Sequence, residues 1–134
     1  MFNLAVDREH VTLAFGLRWI EALSRRYEHI DVGKMRAGDY TLPANVRVWS
    51  LGREHGYSEA RRVLRFYAIV WRILRERRIN VVFTHMIPEF AVLFAPVAWL
   101  SGLHNVMWYA HGATPRLMRI AHRLVDRVVS STPE

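Results

Sequence analysis

The apolar positions of this 134-residue chain switch repeatedly between two periods, and the switches mark its elements. Phe2-Asn3-Leu4-Ala5-Val6 is a short apolar run ending at Asp7-Arg8-Glu9, the pattern of a buried strand opening into a loop. From Gly16 the period becomes helical. Leu17, Ile20, Leu23 and Tyr27 recur on one side, with Arg18, Glu21, Arg25 and Glu28 on the other. Ile30 to Met35 reads as a second strand, weakened by Gly33 and Lys34, and Ala37 to Asn45 as a turn-rich loop. Val46-Arg47-Val48-Trp49 alternates, as a half-buried or edge strand does. After the polar stretch Gly52 to Tyr57, Ser58 is placed to cap a helix of about twenty residues, roughly 30 Å long. Its expected apolar stripe is Val63, Leu64, Tyr67, Val70, Trp71 and Leu74, and Arg75, Arg77 and Arg78 fall where cations oppose the helix dipole.

Asn80 to Thr84 is an uninterrupted β-favouring run, which predicts a central strand covered on both faces. Pro88 opens a helix that is apolar nearly all round through Leu100 and is closed by Ser101-Gly102. Asn105 to Tyr109 is the next strand, and His111-Gly112-Ala113 the loop after it. Pro115 suits the first turn of a helix carrying Leu117, Ile120, Ala121 and Leu124, and Arg127 to Ser131 is a last strand. Internal repeats, low-complexity segments and linkers are absent, so residues 1–134 are read as one domain.

Strands alternating with helices predict an α/β fold, Rossmann-like, in three αβα layers with a mainly parallel sheet. Ligands in such sheets lie beyond the carboxyl ends of the strands. That rule singles out Asp7-Arg8, Thr84-His85, Ala110-His111-Gly112 and Ser131-Thr132.

Composition narrows the chemistry. Apolar residues are 51% of the chain, enough for a packed core. The absence of cysteine excludes disulfides, a thiol nucleophile and thiolate metal ligation. The longest stretch without Asp, Glu, Lys or Arg runs from Phe90 to Pro115. Its truly apolar part, Phe90 to Leu100, is too short to span a bilayer. The first ten residues lack the pattern of a secretory signal, and a cytoplasmic protein is expected. The net charge of +7 is almost all arginine, Lys34 being the sole lysine. It permits nucleic acid or anionic lipid as a partner without deciding between them, and nucleic acid is not the expected one.

His111, between an apolar strand and a helix start, faces the ligand crevice of such a fold; its ordinary alternative is a loop histidine bonded to nearby backbone. His85 has the same placement one strand earlier, and its alternative is to cap the following helix. The seven histidines show no i, i+3 or i+4 pairing on a predicted element, so no metal is expected. The loop from Asp7 to Gly16 holds a single glycine and lacks the fingerprint of NAD or FAD sites. Arg61, Arg62, Arg65, Arg72, Arg75, Arg77 and Arg78 read either as a phosphate- or lipid-binding set or as the solvated face of a helix. Phe66, Tyr67 and Trp71 among them read as core. No nucleophile motif is present, and Asp126 between Arg123 and Arg127 reads as a structural ion pair.

Several segments, taken in order, carry a resemblance. They are Trp19 with Ala22-Leu23, Met35-Arg36-Ala37-Gly38, Leu42-Pro43-Ala44-Asn45-Val46 and Asn80-Val81-Val82-Phe83-Thr84-His85. Trp108-Tyr109-Ala110-His111-Gly112 follows, and then the ending from His122 through Leu124-Val125-Asp126-Arg127-Val128-Val129-Ser130-Ser131-Thr132-Pro133-Glu134. Together they resemble the N-terminal domain of glycosyltransferase family 4. The resemblance implies the acceptor-side half of a GT-B enzyme, which transfers sugar from a nucleotide-sugar donor to a glycan or lipid-linked acceptor with retention of configuration. It implies no metal and no cofactor beyond that co-substrate. The family histidine near the donor sugar falls on His111, as the catalytic group stabilising developing charge. His85, Gly16 and Gly112 fall on the acceptor and substrate side.

Two departures accompany it. Where the family has a Gly-Gly pair in the first loop, this chain has Ala14 and Phe15, with Gly16 one place late. The E-x7-E pair of the donor domain has no counterpart, since no two glutamates are eight apart. The chain is therefore expected to be inactive without a donor domain, whether truncated or served by a separate donor-domain chain. The Arg-rich helix suggests peripheral contact with an anionic membrane. The alternative from another class is a non-catalytic Rossmann-like binding module using its basic surface for nucleic acid, anionic membrane or a protein partner.

Overall fold

The computed structural model describes residues 2–5, 11–36, 41–76, 79–110 and 116–131. In chain order the elements are β1 (Phe2–Ala5), α1 (Val11–Ser24), β2 (Ile30–Arg36), β3 (Val46–Ser50), a 3-10 turn (Arg53–His55) and α2 (Glu59–Glu76). β4 (Val81–His85), α3 (Pro88–Ser101), β5 (His104–Trp108), α4 (Arg116–Leu124) and β6 (Arg127–Val129) follow. The fold is mixed α/β. Among the described residues there are four α-helices and small parallel sheets. The chain divides into two compact units, Asn3–Arg78 and Ile79–Glu134, with Met1 counted in the first and Phe2 in the second.

In the first unit β2 and β3 pair in parallel from Ile30↔Val46 to Lys34↔Ser50. Leu17 and Ile20 of α1 are buried with Ile30 and Val32 of β2, and Leu23, Leu42, Val46 and Val48 pack around them. α1 begins at Val11, five residues before the expected start, so Gly16 lies inside the helix and not in a loop. Leu13 and Ala14 are strong helix formers, and one glycine costs a helix only about 1 kcal/mol. At the other end the helix stops at Ser24, and Tyr27, expected on its apolar stripe, is 48% exposed. The carbonyls left there are taken up by the Asn45 amide, which donates to Ser24 O at 2.8 Å and to Tyr27 O at 2.9 Å.

Ser58 caps α2, its Oγ accepting from Arg61 N at 3.4 Å and its carbonyl from Arg62 N at 3.0 Å. The buried stripe keeps Val70 of the expected one and Phe66 of the aromatics expected in the core, and departs from the expectation elsewhere. Phe66, Ile69, Val70 and Ile73 face inward, whereas Leu64 and Trp71 are 72% and 61% exposed. Both sets have helical spacing. At 100° per residue, however, Leu64 and Trp71 share their side with Arg61, Arg65, Arg72 and Arg75, and burying those charges would cost more than exposing two apolar side chains. α2 ends at Glu76, so Arg77 and Arg78 fall outside the described residues.

Charge joins β2, β3 and α2. Arg47 Nε donates to Asp31 Oδ1 at 2.7 Å and Nη1 to Glu76 Oε2 at 2.6 Å, while Arg72 donates to Glu76 Oε1 at 2.6 Å. Trp49 Nε1 donates to the same Asp31 oxygen at 2.9 Å, and the Arg47 guanidinium lies 4.4 Å from the Trp49 ring centroid. Hydrogen bonds from Arg72 and then Arg47 hold the Glu76 carboxyl down to about 2. Glu76 is exposed, so salt screens part of the effect.

The second unit is built on β4, β5 and β6, parallel throughout. The register runs from Val81↔His104 to His85↔Trp108 and from Val106↔Arg127 to Trp108↔Val129. Phe2 stands beside Thr84. α3 packs on β4, β5 and α4. It closes at Gly102 in the left-handed region, φ 63, whose N–H reaches Ala98 O. Ala91, Met107, Tyr109, Met118 and Ala121 form the buried core, with Val92, Val125 and Val128 around it.

Asp126, expected to pair with arginines, instead accepts from Asn105 N at 2.6 Å, and its own N–H donates to Asn105 O at 2.8 Å. The reason lies in the register. β6 begins opposite Val106, so at Asn105 the ladder has no strand residue to continue it, and the carboxylate takes that place. No helix among the described residues is long and apolar enough to cross a membrane.

Two stability predictions follow from the first unit. Gly52 has φ 85, and a Cβ there would collide with the Tyr57 ring at Cδ2. Gly52→Ala is therefore expected to lose about 1–3 kcal/mol in urea unfolding; an unchanged midpoint would show that the Tyr57 ring moves aside freely. Because the folded Glu76 carboxyl titrates near 2 and its ordinary value is 4.5, its contribution is whole above 4.5 and is lost as pH falls toward 2. Glu76→Gln should thus be less stable than the parent at neutral pH and indistinguishable from it near pH 2, measured by thermal melts at low salt.

Candidate functional site

In a parallel sheet every strand ends at the same edge, so the carboxyl ends of β4 and β5 place their last residues side by side. β4 ends in His85 and β5 in Trp108, which are register partners. Their rings stack with centroids 4.7 Å apart and planes 3° from parallel, and Phe83 lies 6.5 Å from the imidazole. Alternation along β5 puts Asn105, Met107 and Tyr109 on the side of α3 and α4, since Asn105 Nδ2 donates to Ala91 O at 3.1 Å. Val106 and Trp108 therefore face the other way, and so does His85.

His85 is only 6% exposed. Burial disfavours the charged ring and pushes its pKa below the ordinary imidazole value of 6.5. At neutral pH it is an uncharged imidazole, one nitrogen a donor and the other an acceptor. Its expected alternative role, capping α3, does not apply: the capping position is Ile87, with no side-chain hydrogen bond to the helix.

The residue after it is strained. Met86 has φ 65, the one described residue other than glycine with positive φ. Its N–H still donates to Trp108 O at 2.9 Å, carrying the β4–β5 ladder one step further. The left-handed turn then sends the chain through Ile87 into Pro88, the first residue of α3. A left-handed non-glycine residue costs about 1–2 kcal/mol, and such costs gather where a loop is held in a working geometry. Residue periodicity carries no trace of Met86, because the strain arises from the join between strand and helix. Thr84, beside His85, is fully buried, and its Oγ1 has no hydrogen-bond partner among the described residues.

Gly16 lies in the second turn of α1. His111 and Gly112 lie outside the described residues, as do Asp7, Arg8 and Thr132. Ala110 and Ser131 are among the described residues. Among the described residues, no group of three or more His, Asp or Glu side chains is arranged to hold a metal ion.

The α2 arginines, read from sequence either as a phosphate- or lipid-binding set or as the solvated face of a helix, are largely engaged within their own unit. Arg61 lies 3.8 Å from the Tyr57 ring centroid, Arg65 Nε donates to Ser50 O at 2.8 Å, and Arg75 lies 4.5 Å from the Trp71 centroid. Trp71, expected in the core, is the exposed platform for Arg75. In sequence comparisons no protein-family profile matches the chain, and no curated protein matches it either.

His85 gives a pH prediction with a definite sign. Above about pH 6.5 both folded and unfolded states hold a neutral ring, and its contribution is whole. Below that value the unfolded chain takes up a proton that the folded one resists, so stability falls. His85→Phe keeps a flat ring on Trp108 but cannot titrate. Its urea midpoint should drop less than the parent's between about pH 8 and about pH 5; equal drops would show that the buried imidazole is not the titrating group.

Proposed function

We propose that the chain is the acceptor-side half of a retaining, GT-B-type glycosyltransferase, a Rossmann-like αβα domain. It works with a donor-binding domain supplied elsewhere in a longer protein or by a partner chain. The observation that carries this reading is the neutral His85 imidazole, at the carboxyl end of one parallel strand and stacked on Trp108 at the end of the next, directly before the strained Met86. Sugar hydroxyls are neutral donors and acceptors, and an uncharged ring of fixed orientation can accept from one or donate to one without paying to strip a charge of water.

In this reading His85 orients the acceptor and His111, with Gly112 beside it, serves the donor sugar as the nucleoside diphosphate leaves. No cofactor is needed. Acceptors of this type include lipid-linked glycans, which brings the protein to the surface of an anionic membrane as a peripheral partner on its cytoplasmic side.

The test is ligand-observed NMR on the purified chain with a panel of glycans, detergent-solubilised lipid-linked glycans and nucleotide sugars. Binding of at least one glycan class is expected. His85→Ala should weaken it about tenfold, the worth of one hydrogen bond of about 1.4 kcal/mol. A folded chain that binds no carbohydrate would leave the non-catalytic binding module instead.

A further inference from the structure

Two helices expose arginines, and their surroundings distinguish them. On α2 the arginines are spent on Glu76, Ser50 O, Tyr57 and Trp71. On α4 they are not. Arg116, Arg119 and Arg123 are all exposed, and none has a carboxylate or aromatic partner among the described residues. The helix contains no acidic residue. Asp126, the nearest carboxylate in sequence, is occupied by the Asn105 N–H.

Positions 116, 119 and 123 share one helix face. Ile120 and Leu124 lie on the same side, 47% and 48% exposed. The opposite side is settled: Met118 and Ala121 are buried against Ala91, Met107 and Tyr109. α4 is thus held to its unit by one face and presents on the other three guanidinium groups, with no carboxylate partner among the described residues, around two aliphatic side chains.

We propose that this outer face of α4 is a docking surface for an anionic lipid bilayer, its arginines on headgroup phosphates and Ile120 and Leu124 in the interfacial layer. The charge selects an anionic partner. The aliphatic pair selects lipid among anionic partners. A nucleic-acid backbone offers Ile120 and Leu124 no apolar layer to enter, and α4 has no Phe, Tyr or Trp on which a base could stack. The proposal rests on the membrane contact in the preceding reading and not on glycosyl transfer. It assigns that contact to α4 in place of the α2 arginines.

The experiment is co-sedimentation of the full chain with phosphatidylcholine vesicles, with and without about 30% phosphatidylserine. The parent should bind the anionic vesicles, lose binding as salt is raised, and ignore the neutral ones. Arg116→Gln/Arg119→Gln/Arg123→Gln should reduce partitioning roughly a hundredfold, at about fivefold per arginine near the surface. Arg61→Gln/Arg65→Gln/Arg75→Gln on α2 should leave it within about twofold.

The absence of native cysteine allows a second readout that does not depend on the triple variant folding. Ile120→Cys carrying an environment-sensitive fluorophore should shift to the blue on anionic vesicles, and Leu64→Cys on α2 should not. Equal binding to neutral vesicles, a shift at position 64 without one at 120, or displacement from vesicles by sub-stoichiometric duplex DNA would each overturn the assignment. A parent that binds no vesicles overturns the membrane contact itself. Carbohydrate binding, read by NMR on the same preparation, is untouched by either failure.

Discussion

Parallel pairing is the constraint on which the second unit depends. Two parallel neighbours cannot be joined by a tight turn, so α3 has to carry the chain from the end of β4 to the start of β5, and α4 from β5 to β6. Both crossovers contribute to the core beside Asn105, Met107 and Tyr109, leaving Val106 and Trp108 on the reverse face. The His85–Trp108 stack is a consequence of this register. A slip of one residue would turn Trp108 toward α3 and α4 and dissolve the pair.

Where the ladders and helices stop, single polar groups take over from the backbone. Asp126 continues the edge of β5 at Asn105, Asn45 collects the last carbonyls of α1, and Ser58 opens α2. The group after β4 is different in kind, because Met86 keeps its hydrogen bond to Trp108 O and accepts a left-handed backbone in return. That strain is affordable because the β4–β5 pairing and the packing of α3 hold both flanks in place. In the first unit the corresponding fastening is ionic, Arg47 joining Asp31 on β2 to Glu76 on α2.

Much of the secondary structure was legible because hydrophobic periodicity reports local geometry directly. β3 starts at Val46, α3 at Pro88 and β6 at Arg127, as their patterns predict, and Gly102 ends α3 as its position before a strand suggests. The errors have physical causes. α1 runs five residues further toward the N-terminus because Leu13 and Ala14 favour the helix more than Gly16 opposes it. α2 carries two apolar stripes, and the choice of Phe66, Ile69, Val70 and Ile73 over Leu64 and Trp71 depends on which side the arginines must keep wet. Asp126 departs from the expected arginine pairing because charge proximity in sequence says nothing about an N–H waiting across the sheet.

By itself the sequence determined the alternation of strands and helices, the absence of thiol chemistry, the excess of arginine and the placing of His85 at a strand end. These are properties of composition and of neighbours within one element. Only the tertiary structure decided that His85 is buried, neutral and stacked on Trp108, that Met86 is strained, and that the α2 arginines are engaged while those of α4 have no carboxylate or aromatic partner among the described residues. Each of those facts depends on which residues of different elements meet, and register and packing fix that between positions far apart in the chain.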